Sequence, residues 1–258
     1  MINRNRLIRH ADDDGVSAAT VERDYVLTHA LCAIASQPEA QRMIFKGGTA
    51  LRMCHFEDYR YSADLDFSLL DGLDSAAARE AVARALRNMR ASIDMPHAEL
   101  DEAVPPRIRY VGPLGRERQI KLDLAEDELV IEHEPRTLLA RYADQPGDIQ
   151  IDVYTLREIA AEKLRCVIQR QQCRDLFDLY ELLEGQHVEL WEVWPSLERK
   201  ARHRHVDPAL FSERLEQRLP SYERLWEQEM AEHVTGEPPP FDTVSRVVRR
   251  HLRKQLRH

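Results

Sequence analysis

Two aspartates in the string YSADLDFSLL are the residues best suited to chemistry. Asp64 and Asp66 lie two apart in a predicted strand at 61–70, so their side chains share one face of that strand. Neighbouring carboxylates repel unless a cation lies between them, and their hard oxygen atoms suit Mg²⁺ or Mn²⁺. A single D-x-D pattern also fits an ordinary solvated strand face. The pair therefore indicates a metal site only if other acidic and phosphate-binding residues accompany it.

A third aspartate lies in the string QIKLDLAE, where apolar and polar residues alternate. Asp123 shares its strand face with Lys121, while Ile120 and Leu122 point to the other side. If this strand lies beside residues 61–70 in register, three carboxylates converge. Two-metal phosphoryl transfer uses such a set, because two carboxylates hold metals on a triphosphate and one helps to activate the attacking hydroxyl. The alternative is an amphipathic edge strand without a chemical role.

A glycine turn, Lys46-Gly47-Gly48-Thr49, separates a short apolar run from a predicted helix. Glycine lets the backbone approach a ligand, and the unbonded N–H groups at a helix N-terminus favour a phosphate. The turn is not a Walker A loop, which requires G-x-x-x-x-G-K-[ST], and a Gly-Gly pair before a helix is often only a tight turn. Ser62 lies on the face of the strand aspartates, where its hydroxyl can touch a phosphate or bond to the neighbouring backbone.

Hydrophobic periodicity predicts an α+β organisation for the first part of the chain. We expect helices at 16–35, beginning at Ser17, and at 75–93. A glycine-containing turn at 112–115 is expected to join two of the strands as a hairpin. Besides 61–70, the predicted strands are 43–45, 107–111, 119–124, 129–133 and 149–153.

The pattern changes at Thr155, where T-L-R-E is a capping box and the following sequence is helical nearly to the end. Breaks are expected near Pro195, Pro208 and the run of three prolines at 238–240. The sequence therefore predicts two lobes, an α/β lobe at 1–154 and a helical lobe at 155–258.

Composition places the chain among globular proteins. It has 258 residues, 43% of them hydrophobic and 32% charged, without an apolar run of the length that crosses a bilayer. No secretion signal is recognised and the four cysteines lack metal or redox spacing, so we expect a cytoplasmic protein with reduced thiols. The net charge is −8, yet the last fifteen residues hold six Lys and Arg and no acid, which leaves −14 for the remainder.

That basic tail predicts an amphipathic terminal helix with a local surface for a polyanion, although a solvated terminus is an equal alternative. One stripe of the helix is apolar and the rest is basic. The stripe comprises Val244, Val247, Val248, His251 and Leu252. The basic residues are Arg246, Arg249, Arg250, Arg253, Lys254 and Arg257.

Several strings together resemble a known family, the AbiEii/MenT nucleotidyltransferase toxins. KGGTALR at 46–52 followed by RYSADLDF at 60–67 is similar to the family's first motif, a glycine pair before R-x-S-x-D-[LI]-D-[FL]. REIAAEKL at 157–164 and RDLFDL at 174–179 resemble its later motifs. ERDY at 22–25 resembles its N-terminal acidic-aromatic segment. The resemblance covers about residues 22–183.

The resemblance implies a DNA polymerase β-like lobe with a mixed sheet, followed by a mostly helical lobe. It also implies transfer of a nucleotide from an NTP to RNA, most simply the 3′ end of tRNA, with a divalent metal and a cognate antitoxin as partner. Asp64 and Asp66 would be metal ligands, Gly48 and Thr49 would lie at the phosphates, and Lys163 would be a site residue of the second lobe. Two functional alternatives are an inactive nucleotide- or RNA-binding protein of this fold and another D-x-D metal-dependent phosphotransfer enzyme.

Lys163 has a second interpretation that the residues themselves supply. On a helix it falls in the apolar stripe of its neighbours, so its side chain points inward. It can then bind a phosphate, or it can extend along the apolar surface or pair with Asp175, Asp178 or Glu162. The family's second-lobe aspartate corresponds to Asp175, with Asp178 as the alternative.

Overall fold

The computed structural model describes residues 1–101, 103–231 and 233–255, which divide into two compact units. The first unit comprises Met1–Asp127 and Glu134–Val153, and the second comprises Glu128–His133 and Tyr154–His258. Within the described residues, the chain forms a mixed sheet of seven strands in the order β3-β4-β5-β2-β1-β7-β6. The predicted α+β class is confirmed.

The helices of the first unit are α1 (Arg4–Asp14), α2 (Ala18–Ala35), α3 (Gly47–Ala50) and α4 (Ser75–Ile93). The strands of the sheet are β1 (Met43–Lys46), β2 (Asp64–Leu69), β3 (His97–Asp101), β4 (Arg107–Val111), β5 (Glu117–Ala125), β6 (His133–Thr137) and β7 (Gln150–Tyr154). Helix α3 continues as a turn of π-helix, Leu51–His55. Strand β2 is antiparallel to β1 and parallel to β5.

The core of the first unit includes the central strands and most of α2. All four residues of β1 are buried, and the rings of Phe45 and Phe67 lie 5.3 Å apart on neighbouring strands. Helix α2 is buried on most of its circumference, so its apolar residues do not form one narrow stripe. Such burial fixes β1 and β2, the two strands that flank the glycine turn.

Local signals predicted several elements of this unit correctly. Ser17 caps α2 by accepting a hydrogen bond from the Thr20 N–H, and α4 occupies the predicted span. Strands β4 and β5 form the predicted antiparallel hairpin, closed by a 2.9 Å bond from the Gly115 N–H to the Gly112 carbonyl. These elements are each specified by residues close together in the chain.

Two elements of this part of the chain were not predicted, and one predicted strand was misplaced. Helix α1 precedes the predicted first helix, with Asn3 as its cap. Strand β3, which pairs with β4, was not predicted. The strand expected at 129–133 lies instead at β6, because side chains take backbone groups of the earlier segment: Glu158 accepts from the Ile131 N–H at 2.9 Å, and Lys200 donates to the Leu129 carbonyl at 2.9 Å.

The second unit is built from helices. They are α5 (Leu156–Gln169), α6 (Cys173–Tyr180), α7 (Leu190–His203), α8 (Phe211–Ala231) and α9 (Phe241–Gln255). Thr155 caps α5 by accepting from the Glu158 N–H at 3.2 Å. The break predicted at Pro195 is wrong, since this proline lies inside α7. Proline removes only the bond to the carbonyl four residues earlier, that of Trp191, and the rest of the helix continues past it.

The four cysteines are buried free thiols, as the sequence predicts. Burial raises the pKa of Cys32 to about 11 and that of Cys54 to about 12. Across the described residues, no helix combines the length and the apolar character that a membrane crossing requires.

Candidate active site

Strands β2 and β5 bring the three predicted aspartates to adjacent positions. The strands are parallel, with Asp66 opposite Asp123 and Asp64 opposite Lys121. Adjacent strands lie about 4.8 Å apart, and residues paired in register point to the same face of the sheet. The condition that the sequence left open is therefore met, because the second aspartate strand lies beside the first in the required register.

A lysine flanks the same aspartate from the other neighbouring strand. In the antiparallel pair of β1 and β2, Lys46 lies opposite Asp66, and only 4% of Lys46 is exposed. On the other face of β2, Leu65 and Phe67 are fully buried. Asp66 thus lies between Lys46 on one neighbouring strand and Asp123 on the other.

The glycine turn and Asp66 are in direct contact. Gly47 has a φ of +76°, a conformation that L side chains rarely adopt, and a Cβ placed on it would lie 2.7 Å from Asp66 Oδ2. Any side chain here would displace that carboxylate. Glycine is required at this position for two reasons, the backbone angle and the close approach of a site residue.

Thr49 fastens the turn to the start of the aspartate strand. Its hydroxyl oxygen lies 2.7 Å from Ser62 Oγ and 2.6 Å from the carbonyl oxygen of Asp64, and both hydroxyl side chains are buried. Since a carbonyl oxygen only accepts, Thr49 donates to it. The contact with the Asp64 carbonyl gives Thr49 a positioning role. The sequence left a phosphate or the neighbouring backbone as alternative partners for Ser62, and the structure shows the Thr49 side chain as its partner.

The donor set of this face suits a hard divalent cation. The carboxylates of Asp64, Asp66 and Asp123 offer oxygen atoms only, and because Gly47 has no Cβ, the Asp66 carboxylate can lie directly against the glycine turn. Among the residues that the structure describes, no group of three or more His, Cys, Asp or Glu side chains is arranged to hold a metal ion by itself. Mg²⁺ is usually bound by one or two carboxylates together with water and substrate phosphates. The residues therefore fit a cation that binds together with a triphosphate.

The second unit contains a separate charged cluster around Lys163. Its ammonium lies 2.8 Å from Asp175 Oδ1 and 2.6 Å from Asp178 Oδ2, and all three side chains are buried. Burial alone raises the pKa of Asp175, but the charge of Lys163 and the contacts of Arg170 outweigh it and hold that pKa below its usual value. Of the alternatives for Lys163, the structure shows the inward ion pair, and it shows that pair with both aspartates.

Arg170 belongs to this cluster and was missed in the sequence. Its Nε lies 2.7 Å from Asp175 Oδ2, and its side chain is half exposed. The available signal was a cation five residues before the acid, and in the structure Arg170 lies between the end of α5 and the start of α6. Asp175 therefore has two cationic partners, one buried and one reaching solvent.

Helix α9 has the predicted apolar stripe, but two of its arginines are bound to acids. The five stripe residues are buried. Arg249 binds both carboxylate oxygens of Glu216, at 2.7 and 2.6 Å, and Arg250 binds Glu184. Arg257 lies outside the described residues. The basic surface is consequently weaker than its formal charge indicates.

Comparison with known proteins identifies the family of the chain. The family described as nucleotidyl transferase AbiEii toxin, type IV toxin–antitoxin system, matches residues 29–247. The solved structure of MenT4, a nucleotidyltransferase toxin from Mycobacterium tuberculosis H37Rv, is similar in fold with a TM-score of 0.53 and 20% identity, covering 100% of this chain and 98% of that one. No curated protein matches the sequence. Because the family match covers most of the chain, the chain belongs to the AbiEii nucleotidyltransferase toxin family.

Proposed function

We propose that this protein transfers a nucleotide from an NTP to the 3′ end of an RNA, most simply a tRNA, in a reaction that depends on Mg²⁺ or Mn²⁺. Blocking the acceptor end of tRNA stops translation, so the protein acts as a toxin. NTPs and tRNA are cytoplasmic, which is where we place the activity. Membership of the family supports the transfer of a nucleotide, and the finer assignments are ours.

The observation that carries the proposal is the parallel register of β2 and β5. It sets Asp66 opposite Asp123 on one sheet face, with Lys46 on the other side of Asp66 and Gly47 against its carboxylate. An isolated D-x-D strand offers neither the third acid nor the close turn. This set of carboxylates supports metal-assisted nucleotidyl transfer, in which divalent cations stabilise the attacking and leaving oxygens.

Each residue has a proposed role in that reaction. Asp64, Asp66 and Asp123 hold the divalent cation, which neutralises the charge of the triphosphate. The segment 46–49, together with Ser62, orients the phosphates. The acceptor hydroxyl forms a bond to the α-phosphorus, the bond from that phosphorus to the bridging oxygen breaks, and pyrophosphate leaves.

The hydroxyl proton needs an acceptor, and the half-buried carboxylate of Asp123 is the proposed one. Lys163 and Asp175 are proposed as functional residues of the second unit. Their mutual pairing, with Asp178 as a second partner of the lysine, means that either acid can hold Lys163 in place.

A toxin of this kind requires control by a partner. We propose a cognate antitoxin, in keeping with the type IV toxin–antitoxin description of the family. The proposed biological role is in such a system or in defence against phage, where arrest of the host limits infection.

The test is an incorporation assay. Purified protein is incubated with each of the four NTPs, labelled at the α-phosphate, with Mg²⁺ and total RNA, and the labelled product is sized on a gel. We expect label from at least one NTP in RNA of tRNA length, and none when the metal is chelated. Label in no RNA with any NTP, using Mg²⁺ or Mn²⁺, would contradict the proposal.

A further inference from the structure

We propose that Asp24 and Arg52 are a positioning pair that holds the aspartates of β2 in line with the glycine turn, an inference that rests on the proposed function. Asp24 lies on α2, and Arg52 lies in the π-helical turn that continues α3. Both are almost fully buried, at 1% and 6% exposure. Neither residue belongs to the sheet face that carries the carboxylates.

Arg52 uses its guanidinium on three partners at once. Its Nε lies 2.6 Å from Asp24 Oδ1 and its Nη2 lies 3.2 Å from Asp24 Oδ2, a two-point contact. Its Nη1 donates to the carbonyl of Tyr59, and its Cζ lies 3.9 Å from the centre of the Tyr61 ring. Only a planar fork of donors satisfies all three, because an ammonium group has neither the plane nor the reach.

These partners lie directly before the aspartate strand. Residues 59–61 lead into Ser62 and Asp64, which contact Thr49 on the same helical segment. One short helix therefore fastens the approach to β2 at two places, through Thr49 and through Arg52. Between them they fix where the strand begins relative to the turn, and hence where its carboxylates lie.

The far side of the pair is also held. The Tyr142 hydroxyl donates to Asp24 Oδ2 at 2.9 Å. The guanidinium of Arg141 donates to the carbonyls of Arg52 and Phe56, the latter at 2.6 Å. Arg141 and Tyr142 thus hold the helical segment and Asp24 in place. A change in the Asp24–Arg52 contact is therefore expected to shift residues 59–64 rather than the helix.

A merely stabilising ion pair and a positioning pair predict different results, and the chain offers a matched control. Glu22 lies on the same helix, is fully buried, and accepts from the Leu114 N–H at 2.6 Å while lying 2.9 Å from Arg118 Nε. It fixes the hairpin turn, which is remote in sequence from the glycine turn. Glu22→Gln should therefore lower stability without disturbing the aspartates of β2, Asp64 and Asp66.

The experiment compares Asp24→Asn and Arg52→Lys with Glu22→Gln in the full-length protein, using nucleotide incorporation and hydrogen exchange followed by mass spectrometry. For the two test variants we expect kcat to fall roughly 10- to 100-fold, as for a misplacement near 1 Å, with the KM for NTP within about threefold of wild type. The control should retain kcat. A test variant whose kcat lies within about twofold of the control would overturn the proposal.

Hydrogen exchange separates this claim from the proposed function, because it needs no substrate. We expect faster exchange at residues 47–50 and 62–66 in both test variants and unchanged exchange there in the control. If the wild type transfers no nucleotide, the proposed function fails, and the exchange data still decide the positioning role. An exchange rate equal to that of wild type in those segments, in either test variant that folds, would overturn the positioning role. If Arg52→Lys does not fold, Asp24→Asn, which preserves side-chain shape, carries the decision.

Discussion

Replacing Gly47 by alanine should damage activity much more than stability. The added Cβ would lie 2.7 Å from Asp66 Oδ2, whereas nonbonded heavy atoms prefer about 3.5 Å, so the carboxylate must move by roughly 0.8 Å. The backbone at +76° adds strain of its own. The substitution therefore combines a common backbone penalty with a specific displacement of one site residue.

The two effects have different magnitudes. An L residue in the left-handed region costs about 1–2 kcal/mol, which for units of this size lowers Tm by about 2–8 °C. A carboxylate displaced by nearly 1 Å lowers kcat roughly 10- to 100-fold. We also expect a higher Mg²⁺ concentration for half-maximal activity, because the displaced oxygen is a proposed ligand.

Gly115→Ala provides the matched control. Gly115 has a φ of +72°, but nothing lies within 4 Å of the Cβ it would gain. Both variants should lose similar stability in a thermal melt, and only Gly47→Ala should lose nucleotide incorporation and require more Mg²⁺. If the two variants lost equal stability and Gly47→Ala kept the control's kcat, the contact between the turn and Asp66 would have no role in activity.

Three further predictions concern the second unit. Lys163→Met leaves the carboxylates of Asp175 and Asp178 buried without their shared cation, so the free energy of unfolding should fall by about 3–5 kcal/mol in urea, and a fall below about 1 kcal/mol would show that the pairs contribute little. The pKa of Asp175 is held below its usual value, so its ion pairs stabilise the fold above about pH 4 and are lost as the pH falls through the lower folded pKa. Wild type should accordingly lose more stability between pH 6 and pH 3 than Asp175→Asn, and equal losses would refute this. On α9, Arg253→Gln with Lys254→Gln should weaken tRNA binding and reduce the slope of log K against log salt by up to about 1.4–1.8 while NTP affinity is kept, and an unchanged slope would remove the helix from the RNA surface.

The parts of the fold that could be predicted from the sequence are those specified by neighbouring residues. The Ser17 cap, the span of α4 and the turn of the β4–β5 hairpin all depend on side chains within a few positions of each other. Strand β6 could not be placed, because Glu158 and Lys200 bind the backbone of the preceding segment from distant positions. Strand β3 has no clear alternation and is specified by its pairing with β4.

The candidate site likewise combines features that local sequence predicts with features that depend on contacts between distant residues. Asp64 and Asp66 share a face because side chains alternate along a strand with a period of two residues, and this spacing can be read directly from the sequence. That Asp123 lies opposite Asp66 depends on a parallel pairing of distant strands, so the sequence could state it only as a condition. The contact of Arg52 with Asp24 joins residues far apart in the chain and had no local signal.

The most direct test of the central claim, that the strand carboxylates hold the metal for nucleotide transfer, is incorporation of labelled NTP into RNA by Asp66→Asn and Asp123→Asn. Asp101→Asn serves as the control, since Asp101 is a strand aspartate of the same sheet on β3 rather than on β2 or β5. All variants should fold, as judged by circular dichroism and thermal melting. We predict that both test variants lose incorporation to background while the control keeps it. Incorporation near the wild-type rate by either test variant would contradict the account.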